Sequence, residues 1–227
     1  MPSRSQRIRR PVPLLVAPAI VAVAAVIGFG LLIVADPSWS DAELKVVIAV
    51  NAAHNAALDV VARVVNTLFG PGGAPLVGLL LVALVLLLAK SWAAAVRAGI
   101  LLTLSWGLAE VVKAIVQRPR PDATQLTHLI VADPLTNSYP SGHTAFAVAV
   151  VCTVVLVLAR RPARYTAIAC GAVLVLVTAW SRVYLGVHYP TDVLASIVVV
   201  PAFAVLVHAI LSRIRVFAVA PLIGGGA

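Results

Sequence analysis

The sequence predicts an all-α protein, a polytopic membrane bundle of six transmembrane helices with one amphipathic helix at its outer surface. Three observations predict it. Of the 227 residues, 62% are hydrophobic and only 11% are charged, whereas a soluble domain runs about 45–50% apolar and about 25% charged. Apolar runs approaching the length of a membrane span recur along the chain. The polar residues that remain gather in short clusters near the ends of those runs. Together these read as one membrane domain over residues 1–227.

Residues 1–13 hold Arg4, Arg7, Arg9, Arg10 and three prolines and read as a basic cytoplasmic tail. The run 14–35 carries no charge, and at about 1.5 Å per residue it reaches across a hydrocarbon core of about 30 Å. It is longer than the about 7–15 apolar residues of a signal peptide, and no clear small-x-small cleavage site precedes Asp36, so it reads as an uncleaved first span. Asp36-Pro37-Ser38 marks a turn. Asn51, Asn55, Asp59, Arg63 and Asn66 then recur at steps of four or three, which places them on one helical face. That pattern predicts an amphipathic helix over 41–68, lying at the outer membrane surface or against the bundle. His54, beside the polar face, reads as a solvated histidine.

Phe69-Gly70-Pro71-Gly72-Gly73 is a break. A second span is expected at 74–89, ending at Lys90, and a third, containing Glu110 and Lys113, at 98–117. A polar loop covers 118–140. The fourth span runs from His143 to Arg160, the fifth from Tyr165 to Trp180 and the sixth from Pro190 to just before Arg213; Gly224-Gly225-Gly226 reads as a disordered tail. Trp39, Trp92, Trp106 and Trp180 fall near span ends, as an interfacial belt would require. Cys152 and Cys170 sit inside apolar runs with no metal-ligand or disulfide spacing and read as packing residues.

Seventeen Lys and Arg stand against eight Asp and Glu, a net charge of +9. Basic cytoplasmic loops and an anionic substrate explain that excess better than nucleic acid does, because no basic patch is interleaved with exposed aromatics. Six spans put both termini on one side. Eleven of the cations fall at the tail, the 90–97 turn, the 160–164 turn and the C-terminal end; six, Lys45, Arg63, Lys113, Arg118, Arg120 and Arg182, fall opposite. The positive-inside rule then places the termini in the cytoplasm and every polar cluster at the outer face of the plasma (inner) membrane.

Those clusters lie within residues 113–192. The first is Lys113, six residues, then Arg120-Pro121. Arg120 can fork two donors onto a phosphate and Lys113 offers a point charge, although cations near span ends also snorkel to headgroups. Arg118 is open to either reading. The second is Pro140-Ser141-Gly142-His143, where a loop enters a helix: free N–H groups make an anion site, Gly142 permits close approach, and His143 can donate a proton. The third is Ser181-Arg182, five residues, His188, three residues, Asp192. An i,i+4 relation lets Asp192 fix the tautomer of His188 and leave its other nitrogen free to attack, with a capping pair at a helix start as the alternative. Glu110, three before Lys113, reads as its ion-pair partner, and His208 reads as structural. Asp122, His128 and Asp133 belong to the loop over the clusters.

With all three clusters in this order and spacing, the chain resembles the type 2 phosphatidic acid phosphatase superfamily, the integral-membrane lipid phosphate phosphatases. No motif position departs from that family's pattern. The resemblance implies that His188 attacks phosphorus to form a phosphohistidine, that Asp192 orients it, and that His143 protonates the leaving oxygen. Lys113, Arg120, Ser141, Gly142 and Arg182 would hold the phosphoryl oxygens. It also implies no metal and no cofactor, a membrane lipid phosphate as the partner, and a metal-independent hydrolase. Undecaprenyl diphosphate, phosphatidylglycerol phosphate and phosphatidic acid all fit. A phosphotransferase would use the same residues with an alcohol or sugar replacing water; a transporter or lipid-binding subunit would have no need of His188. Haloperoxidases share similar motifs, but a soluble enzyme has no use for apolar spans.

Overall fold

The computed structural model describes residues 12–131, 137–159, 163–214 and 216. Residues 1–11 of the basic tail, Asp133, Arg160, Arg161, Arg215 and the glycine tail therefore lie outside the described residues. Within them the chain is all-helical: α1 (Pro13–Ala35), α2 (Pro37–Ala52), α3 (Ala56–Phe69), α4 (Ala74–Ala89), α5 (Trp92–Val116), α6 (Gly142–Thr153), α7 (Ala163–Tyr184) and α8 (Pro190–Leu211). A single wide turn, Val154–Leu158, prolongs α6. Each of the six expected spans corresponds to a helix. Four, α1, α5, α7 and α8, are long and apolar enough to cross a membrane; α4 and the α6 segment are apolar but shorter, and α2 with α3 passes the same test only as one bent pair. The chain is an integral membrane protein.

The packing centre is formed by α5, α6 and α8, with α1 against α8, α4 against α5 and α7 against α6. Small residues line these contacts, including Ala98 and Ala109 of α5, Ala145 and Ala149 of α6, and Ala204 of α8, so the backbones approach closely, as helices without a water-driven hydrophobic force require. Leu79, Leu80 and Leu87 of α4 face outward, as they should toward lipid.

Four sequence expectations change. The amphipathic helix over 41–68 is two helices whose axes turn by 119° at the break between them. Asn55, assigned to the polar face, instead caps α3: its backbone is extended at φ −156° and its Oδ1 accepts the N–H groups of Ala57 and Leu58 at 3.1 Å each. The third span starts earlier than 98, because Ser91 caps α5 through the Ala94 N–H. Arg97 consequently lies inside a helix rather than in a turn, buried, with its Nη2 at 2.7 Å from Ser212 Oγ and 3.1 Å from the His208 ring. Trp106 lies well inside α5, edge-on to Phe146 at 5.2 Å, and belongs to the core rather than to an interfacial belt. Cys170 is exposed on α7 and Cys152 half-buried, so only Cys152 packs inside.

Asn51 of α2 and Asp59 and Asn66 of α3 turn toward the bundle, whereas Arg63, expected on the same face, is exposed. Asn51 is fully buried. Its Nδ2 donates to the carbonyls of His128 (2.9 Å) and Tyr184 (3.0 Å), and its Oδ1 accepts from the His128 N–H (3.0 Å) and the Thr127 hydroxyl (3.3 Å). One amide thus pins α2 to the loop after α5 and to the end of α7. Asn51→Ala leaves several of these groups buried without partners, each costing about 1–3 kcal/mol. We expect a loss of about 2–4 kcal/mol in stability, seen as a lowered unfolding temperature in detergent.

Candidate active site

The site forms where α5, α6, α7 and α8 end on the same side. Ser141 caps α6, its Oγ accepting from the Thr144 N–H at 3.4 Å, while its own N–H donates to the Asp192 carbonyl at 3.0 Å and its carbonyl accepts from Ser196 Oγ at 2.9 Å. The N–H groups of Gly142 and His143 belong to the first helical turn, which no intrahelical carbonyl reaches. Beside them lies the Lys113–Glu110 pair, Nζ to Oε1 at 3.1 Å, as the i,i+3 spacing predicts. A Cβ on residue 142 would sit 3.1 Å from Glu110 Oε1 and 3.4 Å from Lys113 Nζ. Glycine leaves the Lys113–Glu110 pair unhindered beside the α6 start, where a Cβ would press only on the end of Glu110.

The α7–α8 connection carries His188. Gly186 turns the chain at φ +73°, a conformation that favours glycine, and a Cβ there would run into Leu126. His188 is buried. Its Nδ1 faces Asp192 Oδ2 at 3.3 Å, and its Nε2 faces Arg120 Nη1 at 3.3 Å. A guanidinium only donates and a carboxylate only accepts, so these partners select one tautomer: hydrogen on Nδ1, a lone pair on Nε2. Asp192 Oδ2 also accepts the Tyr189 N–H at 2.8 Å. The carboxylate is thus both helix cap and partner of the imidazole, and the two readings of the pair are not exclusive.

Arg182, in the last turn of α7, donates Nη1 to Asn66 Oδ1 at 2.8 Å, and the carbonyl of the same Asn66 accepts from His143 Nε2 at 3.3 Å. His143 lies within electrostatic reach of His188, Arg182 and Arg120, and His188 within that of Arg120, Arg182 and Lys113. The structure therefore brings together His188, His143, Asp192, Lys113, Arg120, Ser141, Gly142 and Arg182. Such a set can hold a phosphoryl group on cations and N–H groups while a lone pair on Nε2 approaches it.

The residues that hold this set are the ones sequence reasoning left open or missed. Arg118 is fully buried and turned to protein groups: Nη1 meets Asp192 Oδ1 at 2.8 Å and Thr191 Oγ1 at 2.7 Å, and Nη2 meets Glu43 Oε2 at 2.7 Å and Ser40 Oγ at 3.0 Å. Glu43 also accepts the N–H of Thr191 at 2.8 Å. Arg118 supports Asp192, and α2 supports Arg118. Asn66 had a weak signal in the polar spacing of its helix; Glu43 and Thr191 had none.

A family model described as the PAP2 superfamily matches residues 94–215. The undecaprenyl-diphosphatase BcrC of Bacillus subtilis is 33% identical over 81 residues, 36% of this chain and 39% of that protein. An undecaprenyl-diphosphatase of Sulfolobus acidocaldarius is 34% identical over 104 residues, 44% of this chain and 48% of that protein. The chain thus spans less than half the length of the curated relatives it matches. In fold it is similar to the crystal structure of a transmembrane PAP2 type phosphatidylglycerolphosphate phosphatase from Bacillus subtilis, with a TM-score of 0.64 at 22% identity, covering 90% of this chain and 97% of that one.

Two outcomes follow from the geometry. Arg118→Met leaves Asp192 buried and uncompensated, which costs about 3–5 kcal/mol; the unfolding temperature in detergent should fall accordingly, and substitution of the exposed Arg63 should not change it. Burial first, then the charges of Arg120, Arg182 and Lys113, push the His188 imidazole well below the ordinary histidine value. A lowered value keeps the ring neutral where a free histidine, at about 6.5, is already half protonated. NMR titration of nitrogen-labelled histidines should find His188 neutral well below that pH, and Arg120→Gln, by removing a cation, should move its titration upward.

Proposed function

Because the chain belongs to the PAP2 superfamily, we propose that it is a membrane lipid phosphatase that hydrolyses phosphate or diphosphate monoesters of lipids through a phosphohistidine. The observation that carries the proposal is the buried imidazole of His188, held on Nδ1 by Asp192, with Nε2 directed at Arg120. A nucleophile needs a lone pair aimed at phosphorus, a partner for the charge it acquires, and cations for the oxygens. All three converge on this ring.

In the first step the Nε2 lone pair forms a bond to phosphorus while the bond from phosphorus to the leaving oxygen breaks. His143 gives its proton to that oxygen, and Asp192 stabilises the positive charge on the His188 ring. In the second, water attacks phosphorus, His143 takes the proton from water, the N–P bond breaks, and inorganic phosphate leaves. Lys113, Arg120, Arg182 and the N–H groups of Gly142 and His143 carry the charge on the phosphoryl oxygens. No step calls for a metal. His143 directs Nε2 at the Asn66 carbonyl here, so delivery of its proton to the leaving oxygen requires either the other ring nitrogen or a turn of the ring as substrate enters.

Two curated relatives are named undecaprenyl-diphosphatases, which makes a polyprenyl diphosphate the first substrate to assay, ahead of phosphatidylglycerol phosphate and phosphatidic acid. The sequence bias of eleven against six Lys and Arg supports termini in the cytoplasm and a site at the outer face, on the reading that all six apolar helices span.

The test is phosphate release from each lipid in detergent with EDTA. Wild type should release phosphate with the chelator present, and His188→Ala should lose at least about a thousandfold in kcat/KM. Rapid quenching with labelled diphosphate lipid should trap an acid-labile, base-stable phosphoprotein in wild type and none in the variant. Equal release by the variant, or release that stops with EDTA, would overturn the mechanism, and label passing to an added alcohol instead of water would reassign the enzyme as a transferase.

A further inference from the structure

Away from the phosphate site, the break between α2 and α3 meets the loop that follows α5. There His54, Asp59 and His128 offer ligand atoms that all lie within 4.8 Å of one another. We propose that these three side chains form a binding site for a divalent cation of the zinc type, which ties the α2–α3 corner to the 117–131 loop.

Two of the three ligands are already placed. His128 Nε2 lies 3.0 Å from Asp59 Oδ2, close to the about 3.3 Å that separates neighbouring ligand atoms around a tetrahedral ion with bonds of about 2.0–2.1 Å. Each is held from behind. The other carboxylate oxygen of Asp59 accepts the Tyr184 hydroxyl at 2.5 Å, and the backbone of His128 is gripped on both sides by Asn51. Ligands steadied by such outer partners are what a metal site requires. Both remain reachable, with side-chain exposures of 31% for His128 and 15% for Asp59.

The third ligand is the movable one. The His54 ring stacks on His128 with centroids 3.8 Å apart and planes within 8°. Parallel rings cannot aim their in-plane lone pairs at one ion, so binding requires His54 to swing out of the stack. It is exposed and sits in the two-residue gap before Asn55, where only its own side-chain torsions must change. Binding also moves the His128 proton: with Nε2 as ligand, hydrogen sits on Nδ1, and the ion replaces the hydrogen bond to Asp59. Two imidazoles and one carboxylate, completed by water, suit zinc and its transition-metal neighbours rather than magnesium or calcium, which prefer oxygen.

The site uses no residue assigned to phosphate chemistry, so it stands or fails separately from the proposed activity.

The measurement uses the full chain, purified in detergent on a tag without histidines, stripped with EDTA and titrated with zinc. Metal analysis and competition with a chromophoric chelator should give one zinc per chain with a Kd of about 10 µM or tighter. His54→Ala, a change at an exposed position, and Asp59→Asn should each weaken binding at least about tenfold. Zinc should raise the unfolding temperature of wild type by several degrees and leave that of His54→Ala unchanged. Binding only at millimolar zinc, affinity unchanged in His54→Ala, or an equal response to magnesium would each overturn the proposal.

Discussion

A carboxylate with no exposed surface, at the start of a membrane helix, has to be neutralised. The neutralising of Asp192 organises this protein. Arg118 does it with one nitrogen at 2.8 Å, and in turn Glu43, Ser40 and Thr191 accept from its two terminal nitrogens. The face of the same group lies 3.9 Å from the centre of the Tyr189 ring, so stacking adds to charge. Two buried ions repay their lost hydration only when geometry and surrounding hydrogen bonds are good, and here segments from residue 40 to residue 192 supply them. Once Asp192 is fixed, the orientation of His188 is fixed with it.

The helical core was legible because composition and run length dictate it: a stretch such as 14–35, with no charge, has few alternatives to a helix in lipid. The break of the outer helix was hidden by a coincidence of spacing. Asn55 falls on the same four-residue rhythm as Asn51 and Asp59, and nothing local distinguishes a polar-face residue from a cap that stops one helix and starts another. The early start of α5 was hidden by Arg97, whose charge looks like a turn until His208 and Ser212 are seen beside it.

The same distinction separates the site residues. Lys113, Arg120, Ser141, Gly142, His143, Arg182, His188 and Asp192 stood out as polar groups at fixed intervals in apolar surroundings. Arg118 stood out equally, but the sequence could not decide whether it faced phosphate, headgroup or protein, because its partners Glu43 and Asp192 lie 75 and 74 residues away. His54, Asp59 and His128 illustrate the limit most clearly. Spacing rules find metal ligands on one helix or in one loop, whereas His128 comes to the other two across a helix break and a long connection.

The length of α6 has a consequence for the surrounding bilayer. From Gly142 to Leu158 it is 17 residues, about 26 Å at 1.5 Å per residue, and the 16 residues of α4 reach about 24 Å. A membrane that these two helices cross, with a hydrocarbon core of about 30 Å, must thin or let its headgroups sink where α4 presents its exposed leucines to lipid, while α6 is enclosed by its neighbours. Gly142 and His143 stand at one of the two ends of α6 where such a shortfall can open. If the shortfall falls at that end, headgroups sink toward the cations, and the proposed substrate would meet them at the depth of its own leaflet instead of being lifted out of it.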